Sequence, residues 1–158
     1  MSNKRLLAIG CGIVFLFCGA LFLALVGFLA YAIQDPEGVA LRVEGPDEVA
    51  VGETFDLRVI VTNERPSDSV ALSDIDIADE YLAGFTISTV TPDAESSMHV
   101  PIDNSQSYTF NVSIPPGESR EFVFSLRAEQ EGIYRGDVDA CEGARFITQI
   151  AETVVRAK

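Results

Sequence analysis

The sequence predicts an all-β antiparallel sandwich preceded by a single N-terminal transmembrane α-helix. Residues 6–33 contain no charged side chain, whereas the later segments alternate apolar and polar residues with a period of two. Such alternation is typical of strands that bury one face, and turn-forming stretches separate the alternating segments. The expected organisation is a cytoplasmic N-terminus at 1–5, a transmembrane signal-anchor helix at 6–33, a linker at 34–38 and an extracytoplasmic β-sandwich domain at 39–158.

The uncharged run at 6–33 is long enough to cross a lipid bilayer. A helix of 28 residues spans about 42 Å, against a hydrocarbon core of about 30 Å. Lys4 and Arg5 precede the run, while Asp35 and Glu37 follow it. Because positive residues stay in the cytoplasm, we expect a single-pass protein of the cell membrane with the C-terminal domain outside.

Two further properties of this segment remain open from the sequence. Ala30-Tyr31-Ala32 has the form of a signal-peptidase site, but the apolar core of a cleaved signal is usually about 7–15 residues, which favours an uncleaved anchor. Small residues on one side of the helix predict self-association, although such residues are also common in any transmembrane helix. These small residues are Ala8, Gly12, Gly19, Gly27 and Ala30.

Eight segments of the remaining chain are predicted to be strands. The strictest alternation covers 54–63, 107–114 and 121–127, and the other strands are expected at 39–43, 70–78, 85–90, 133–140 and 146–155. Leu72 is out of phase with Ile75 and Ile77, which indicates a β-bulge. Short strands at this spacing, without an amphipathic helix between them, indicate an antiparallel sandwich.

The stretch 91–106 contains an apolar patch in otherwise polar surroundings. Met98, Val100 and Ile102 lie within it. The sequence allows a long loop that binds a partner, because loops on rigid sandwiches often carry function. It equally allows an extra edge strand that buries the patch.

Several stretches of the outer domain resemble a family of bacterial surface proteins. They are Val51-Gly52-Glu53-Thr54 before the VIVTN strand, Asp79 to Phe85, Pro116-Gly117-Glu118-Ser119 before the FVFSLRA strand, and Gly132-Ile133-Tyr134. The chain is similar there to the immunoglobulin-like repeat modules of the conserved-repeat and CARDB adhesion-related families, over most of 41–140. Where the family usually has Leu-Pro, this chain has Tyr81-Leu82. The resemblance implies a non-catalytic extracellular module, which the uncharged run at 6–33 would anchor to the membrane.

Charge and composition exclude some classes of function. The formal charge is −13, and all 24 acidic residues but only nine of the 11 basic residues follow position 34, so the outer part carries −15. This charge disfavours nucleic acid as a partner, because phosphate binding needs clustered cations. His99 is the single histidine, and with Ser97 and Asp103 it falls in a stretch predicted to be irregular. A hydrolytic triad needs a fixed scaffold, so we expect no enzyme and no cofactor.

Two polar features have alternative interpretations. Asp74, Asp76 and Asp79 are the candidate ligands for a calcium ion, but a solvated strand face explains the same residues and the segment lacks a calcium-loop motif. Cys141 is the one cysteine outside the apolar segment. It would be either a buried thiol or the site of an intermolecular disulfide, and unpaired cysteines are usually small core residues.

The sequence thus predicts a non-catalytic single-pass membrane protein. Its immunoglobulin-like module would serve protein–protein interaction, adhesion or assembly of a membrane complex, with membrane lipid and an unidentified protein as partners. The alternative is a ligand-binding or calcium-binding sensor domain on the same anchor.

Overall fold

The computed structural model describes the backbone of residues 3–32 and 34–158, and the side chains of residues 16–31 and 34–158. The chain divides into two compact units, with the boundary between Gln34 and Asp35.

The first unit is the helix α1, Asn3–Ala32. Its described side chains, from Leu16 to Tyr31, are all exposed within the unit, and most of them are apolar. No helix in the described part of the chain is both long and apolar enough to cross a membrane. The membrane crossing at 6–33 therefore stays a prediction. The side chains of Lys4, Arg5, Ala8 and Gly12, on which the orientation and part of the self-association prediction depend, lie outside the described residues.

The second unit is a β-sandwich, as the alternating pattern predicts. Its strands are β1 Val39–Glu44, β2 Glu48–Ala50, β3 Thr54–Asn63, β4 Val70–Ala78, β5 Phe85–Thr91, β6 Ser96–Val100, β7 Ser105–Ile114, β8 Ser119–Ala128, β9 Gly132–Glu142 and β10 Arg145–Arg156, with a short helix α2 at Asp79–Leu82. One sheet has the order β1-β3-β8-β5, and the other has the order β2-β10-β9-β4-β7-β6. The two sheets pack through their apolar faces.

The strand pairing agrees with the prediction in most places and corrects it in one. The bulge in β4 is confirmed, because its register with β7 shifts between Leu72 and Asp74. The prediction of a purely antiparallel sandwich is wrong for β2, which pairs with β10 in parallel, Glu48 opposite Val154. β2 and α2 have only three and four residues, too short to show a periodic pattern.

Aromatic rings join the two sheets in the core. Phe110 of β7 packs on Phe122 of β8, with ring centroids 4.5 Å apart, and Tyr108 packs edge-on against Phe124 at 5.1 Å. Both pairs cross from the six-stranded sheet to the four-stranded sheet. Burial of such side chains is the main stabilising term of a sandwich, about 1.5–3 kcal/mol for each large apolar side chain.

Asn63 is a buried polar residue that fixes one end of the sandwich. It lies at the end of β3 and has no exposed surface. Its Nδ2 donates to the carbonyl oxygens of Ile114 and Asp68, each at 2.8 Å, and its Oδ1 accepts from the backbone N–H of Arg65 at 2.9 Å. These bonds join β3 of one sheet to the end of β7 in the other and order the connection to β4.

We expect the substitution Asn63→Ala to destabilise the protein by about 2–4 kcal/mol, because buried groups lose their hydrogen-bond partners. Chemical denaturation of the full chain in detergent measures this change. The neighbouring substitution Thr62→Ala removes an exposed hydroxyl that contacts Ser119 Oγ, and should change stability by less than about 0.5 kcal/mol. Equal effects of the two substitutions would contradict the role of Asn63.

Candidate functional site

The outer face of the six-stranded sheet carries a row of polar side chains. Strand register places Asp76 of β4 opposite Asp139 of β9 on one side and opposite Ser107 of β7 on the other. Asp139 in turn lies opposite Thr148 of β10. Because alternate side chains of a strand point to opposite faces, the apolar residues between these positions face the core, and the carboxylates share the outer face.

An acidic cavity of about 290 Å³ opens on this face. Four carboxylates line it, together with the hydroxyls of Ser105 and Thr148 and the ring of Phe146. None of the described residues that line it is basic. The four acidic residues are Asp76, Asp103, Asp137 and Asp139.

The turn between β6 and β7 supplies Asp103, and two contacts to α2 hold this turn. The backbone N–H of Asp79 donates to the carbonyl oxygen of Asn104 at 2.8 Å. The ring Nε2 of His99, on β6, lies 2.8 Å from Oδ2 of Asp79. Because α2 follows β4 directly, these contacts fix the turn beside Asp76.

The two opposed carboxylates are electrostatically unfavourable in their ionised form. Burial raises the pKa of Asp76, and hydrogen bonds from Ser107 and Cys141 offset part of this effect. Burial likewise raises the pKa of Asp139, with a hydrogen bond from Thr148 acting in the opposite direction. The charges of Asp103 and of neighbouring acidic residues raise both pKa values further. The cavity therefore concentrates negative charge at a cost in stability.

Cys141 lies directly beside the cavity. It is buried on β9, and its Sγ is 3.6 Å from Oδ2 of Asp76. Burial and the charges of Asp76 and Asp139 raise the pKa of this thiol far above its usual range. The group stays protonated and donates to Asp76, which does not favour the thiolate chemistry that an intermolecular disulfide needs.

Glu142, one residue further along β9, has the opposite environment. Its carboxylate accepts from Nη1 and Nη2 of Arg65 at 2.9 and 2.6 Å, and from Nη2 of Arg145 at 3.0 Å. The hydrogen bonds from Arg65 hold the pKa of Glu142 below its usual value. Glu142 is thus paired with two arginines. By contrast, none of the described residues that line the acidic cavity is basic.

The three residues predicted as calcium ligands are only partly brought together. Asp74 and Asp76 share the outer face of β4, where Asp74 Oδ1 accepts from Thr109 Oγ1 at 2.8 Å. Asp79 begins α2 and pairs with His99. Within the described residues, no group of three or more histidine, cysteine, aspartate or glutamate side chains is placed to hold one metal ion.

His99 and Ser97 lie on a regular strand, β6, in the stretch that the sequence predicts to be irregular. The extra edge strand is therefore present, but it does not bury the apolar patch, since Met98 is 63% and Ile102 is 87% exposed. The hydrogen bond of the His99 ring is with Asp79, whereas Asp103 lines the acidic cavity.

Of the four carboxylates in the cavity, the sequence identified only Asp76 as a candidate ligand. Asp103, Asp137 and Asp139 were not assigned to the same site. Asp137 and Asp139 are two residues apart on a predicted strand, as are Asp74 and Asp76, so the alternation in both strands was a visible signal. Combining the two pairs requires the knowledge that β4 and β9 are neighbours, although about 60 residues separate them in the sequence.

Comparison with known proteins supports the fold class. No family model and no curated protein matches the chain. The cohesin module of a Clostridium perfringens family 33 glycoside hydrolase is similar in structure, with a TM-score of 0.53 and 12% identity over 76% of this chain and 98% of that one. A CARDB domain from Pyrococcus furiosus, solved in complex with di-metal ions, has a TM-score of 0.48 and 18% identity over 78% of this chain and 91% of that one.

An enzyme is also among the similar structures. The alkylpurine DNA glycosylase of Pseudomonas fluorescens has a TM-score of 0.43 and 13% identity, over 76% of this chain and 31% of that one. The two packed sheets define the second unit, Asp35–Lys158, as an immunoglobulin-like β-sandwich, and the likeness to these solved structures shows the fold alone. The surface-repeat resemblance remains a prediction.

The raised pKa of Asp139 gives a testable dependence of stability on pH. A carboxyl whose pKa is higher in the folded state destabilises the fold as pH rises from the unfolded pKa, about 3.9, through the folded one. We therefore expect Asp139→Asn to stabilise the protein at pH 7 by about 0.2–1 kcal/mol, the scale of like charges opposed across strands. This gain should disappear as the pH falls below about 4, because the side chain at position 139 is then uncharged in both the wild type and the variant.

Thermal unfolding of the full chain in detergent between pH 3.5 and 7.5 measures this difference. Asp56→Asn is the matched control, because Asp56 is an exposed residue on the other sheet that also accepts from a hydroxyl, Ser125 Oγ at 2.7 Å. A gain for Asp139→Asn that is constant with pH, or one shared by Asp56→Asn, would contradict the electrostatic origin.

Proposed function

We propose that residues 39–158 form a non-catalytic protein-interaction module that binds an extended segment of a partner along strand β6. The observation that carries this proposal is the open edge of the six-stranded sheet at β6. In the described structure β6 pairs with β7 on one side and ends the sheet on the other. An edge strand can accept the backbone of another chain as an additional strand.

Two features of this edge describe the partner segment. Met98 and Ile102 are large apolar side chains that remain exposed on β6 and in the turn after it. Asp103 follows Ile102 directly and leads into the acidic cavity. A complementary segment would carry apolar side chains for the edge and a basic residue for the turn. The large negative charge of the outer part favours a basic partner as well.

A crosslinking experiment in intact membranes tests this function. The substitutions Met98→Ser and Ile102→Ser should lower the yield of the crosslinked partner several-fold, because they remove exposed apolar contact area without changing the core. Peptide mapping by mass spectrometry should place the crosslink between 96–104 of this chain and a segment of the partner that contains a basic residue.

Ile133→Ser is the matched control, because Ile133 is 71% exposed on β9, in the middle of the sheet order. The control should retain wild-type capture. Equal losses for all three variants, or crosslinks that map away from 96–104, would overturn the proposed binding surface.

We also propose that the segment 6–33 attaches this module to a membrane, with the N-terminus in the cytoplasm. The support is the uncharged sequence and the exposed apolar side chains of α1 on all sides, which include Leu16, Phe17 and Leu23. A helix that is apolar all round needs lipid or protein as its surroundings. Its small residues, with Gly19 and Gly27 facing open space, also leave room for self-association.

Membrane attachment has a direct test. The full chain should stay in the membrane pellet after alkaline carbonate extraction, and protease added to whole cells should remove the domain at 39–158. Release by carbonate would contradict the anchor. Protection of the domain in whole cells, with degradation after lysis, would reverse the orientation.

A further inference from the structure

We infer that the acidic cavity binds the guanidinium group of an arginine side chain in the partner segment. This inference rests on the proposed function, since it assigns the basic residue of that segment to a site beside β6. The cavity adjoins the turn that follows the edge strand, because Asp103 in the β6–β7 turn and Ser105 at the start of β7 both line it.

Two buried oxygen atoms of the cavity lack a partner among the described protein groups. They are Oδ1 of Asp76 and Oγ of Ser105. Ser105 is only 6% exposed, and an unpaired buried polar atom costs about 1–3 kcal/mol. The carboxylate oxygen can only accept a hydrogen bond, so its complement is a donor. The four carboxylates around the cavity favour a cationic donor group over a neutral one.

The shape of the site distinguishes an organic cation from a metal ion. Calcium needs six to eight oxygens at about 2.3–2.6 Å, and no group of acidic side chains among the described residues is placed for this. The cavity of about 290 Å³ also far exceeds the share of one water molecule in the liquid, about 30 Å³. Carboxylates that lie apart around a cavity of this size match an organic cation with several hydrogen-bond donors that point in different directions.

Guanidinium has that form. It presents five N–H donors in one plane and binds carboxylates through paired hydrogen bonds. Phe146 lines the same cavity and is 45% exposed, which supplies an aromatic ring of the kind on which a guanidinium group stacks. An ammonium group has a point charge and three donors, so it satisfies fewer of the separated oxygens.

The test uses the full chain in detergent and the probe N-acetyl-L-arginine amide, measured by NMR titration. N-acetyl-L-citrulline amide is the neutral probe of the same shape, N-acetyl-L-lysine amide is the second cation, and CaCl₂ is the metal probe. We expect saturable binding of the arginine probe, at least threefold weaker binding of the lysine probe, and none of the citrulline probe at the same concentrations.

Two variants locate the site. Asp76→Asn and Asp139→Asn should each weaken binding of the arginine probe about tenfold, which corresponds to the loss of one charged hydrogen bond. Asp56→Asn has the same change in charge on the other sheet and should bind as the wild type does. Misfolding cannot explain the loss for Asp139→Asn, since this variant should unfold at a higher temperature than the wild type at pH 7.

Several results would overturn the inference. They are equal binding of the citrulline probe, an equal loss in Asp56→Asn, and calcium binding that depends on Asp76 and Asp139 in the absence of arginine binding.

The crosslinking yield separates this inference from the proposed function. If Asp139→Asn loses the arginine probe but keeps full partner capture, then the module still binds its partner along β6, and the cavity does not hold the partner's arginine.

Discussion

The alternation of side chains along β4 and β9 is the constraint on which the rest of this structure depends. In β4, Ile75 and Ile77 face the core and are completely buried, so Asp76 between them must face outward. The same holds in β9 for Asp139, which lies between the buried residues Val138 and Ala140. Once the two strands pair in the observed register, the two carboxylates are direct neighbours. A shift by one residue would place both carboxylates in the core, which the fold cannot tolerate.

The sandwich tolerates these two partly buried and opposed carboxylates because the opposing contributions to its stability differ in size. Like charges opposed across two strands cost about 0.2–1 kcal/mol, whereas a single buried phenylalanine such as Phe122 contributes about 1.5–3 kcal/mol. The core holds several such residues. Glu142, further along the same strand β9, is also negatively charged. There, by contrast, Arg65 and Arg145 form salt bridges that compensate the charge. The absence of such compensation among the described residues of the cavity is therefore a local property, and a cation from another molecule would relieve it.

The sequence was sufficient for eight of the ten strands in the described structure but insufficient for β2, β6 and the site. Burial of one strand face determines the type of every second residue, so the alternation predicted β3 and β4 with their observed bounds. For the same reason, the break in this alternation at Leu72 located the bulge. The candidate ligands Asp74, Asp76 and Asp79 were selected because they are close in sequence. The structure instead groups Asp76 with Asp139 through strand register and with Asp103 through the turn that His99 and Asn104 hold. Neither the order of strands nor the path of that turn is encoded in a local pattern.

The position of Cys141 determines which oxygen of Asp76 is left for a ligand. Here burial and the adjacent carboxylates raise the pKa of the thiol, so that its proton is kept and donated to Oδ2 of Asp76. That bond occupies one carboxylate oxygen and leaves Oδ1 as the free acceptor. A neutral thiol that binds the carboxylate at Oδ2 is compatible with a hydrogen-bonding cation at Oδ1, so directional hydrogen bonds on both oxygens would hold Asp76 in one orientation.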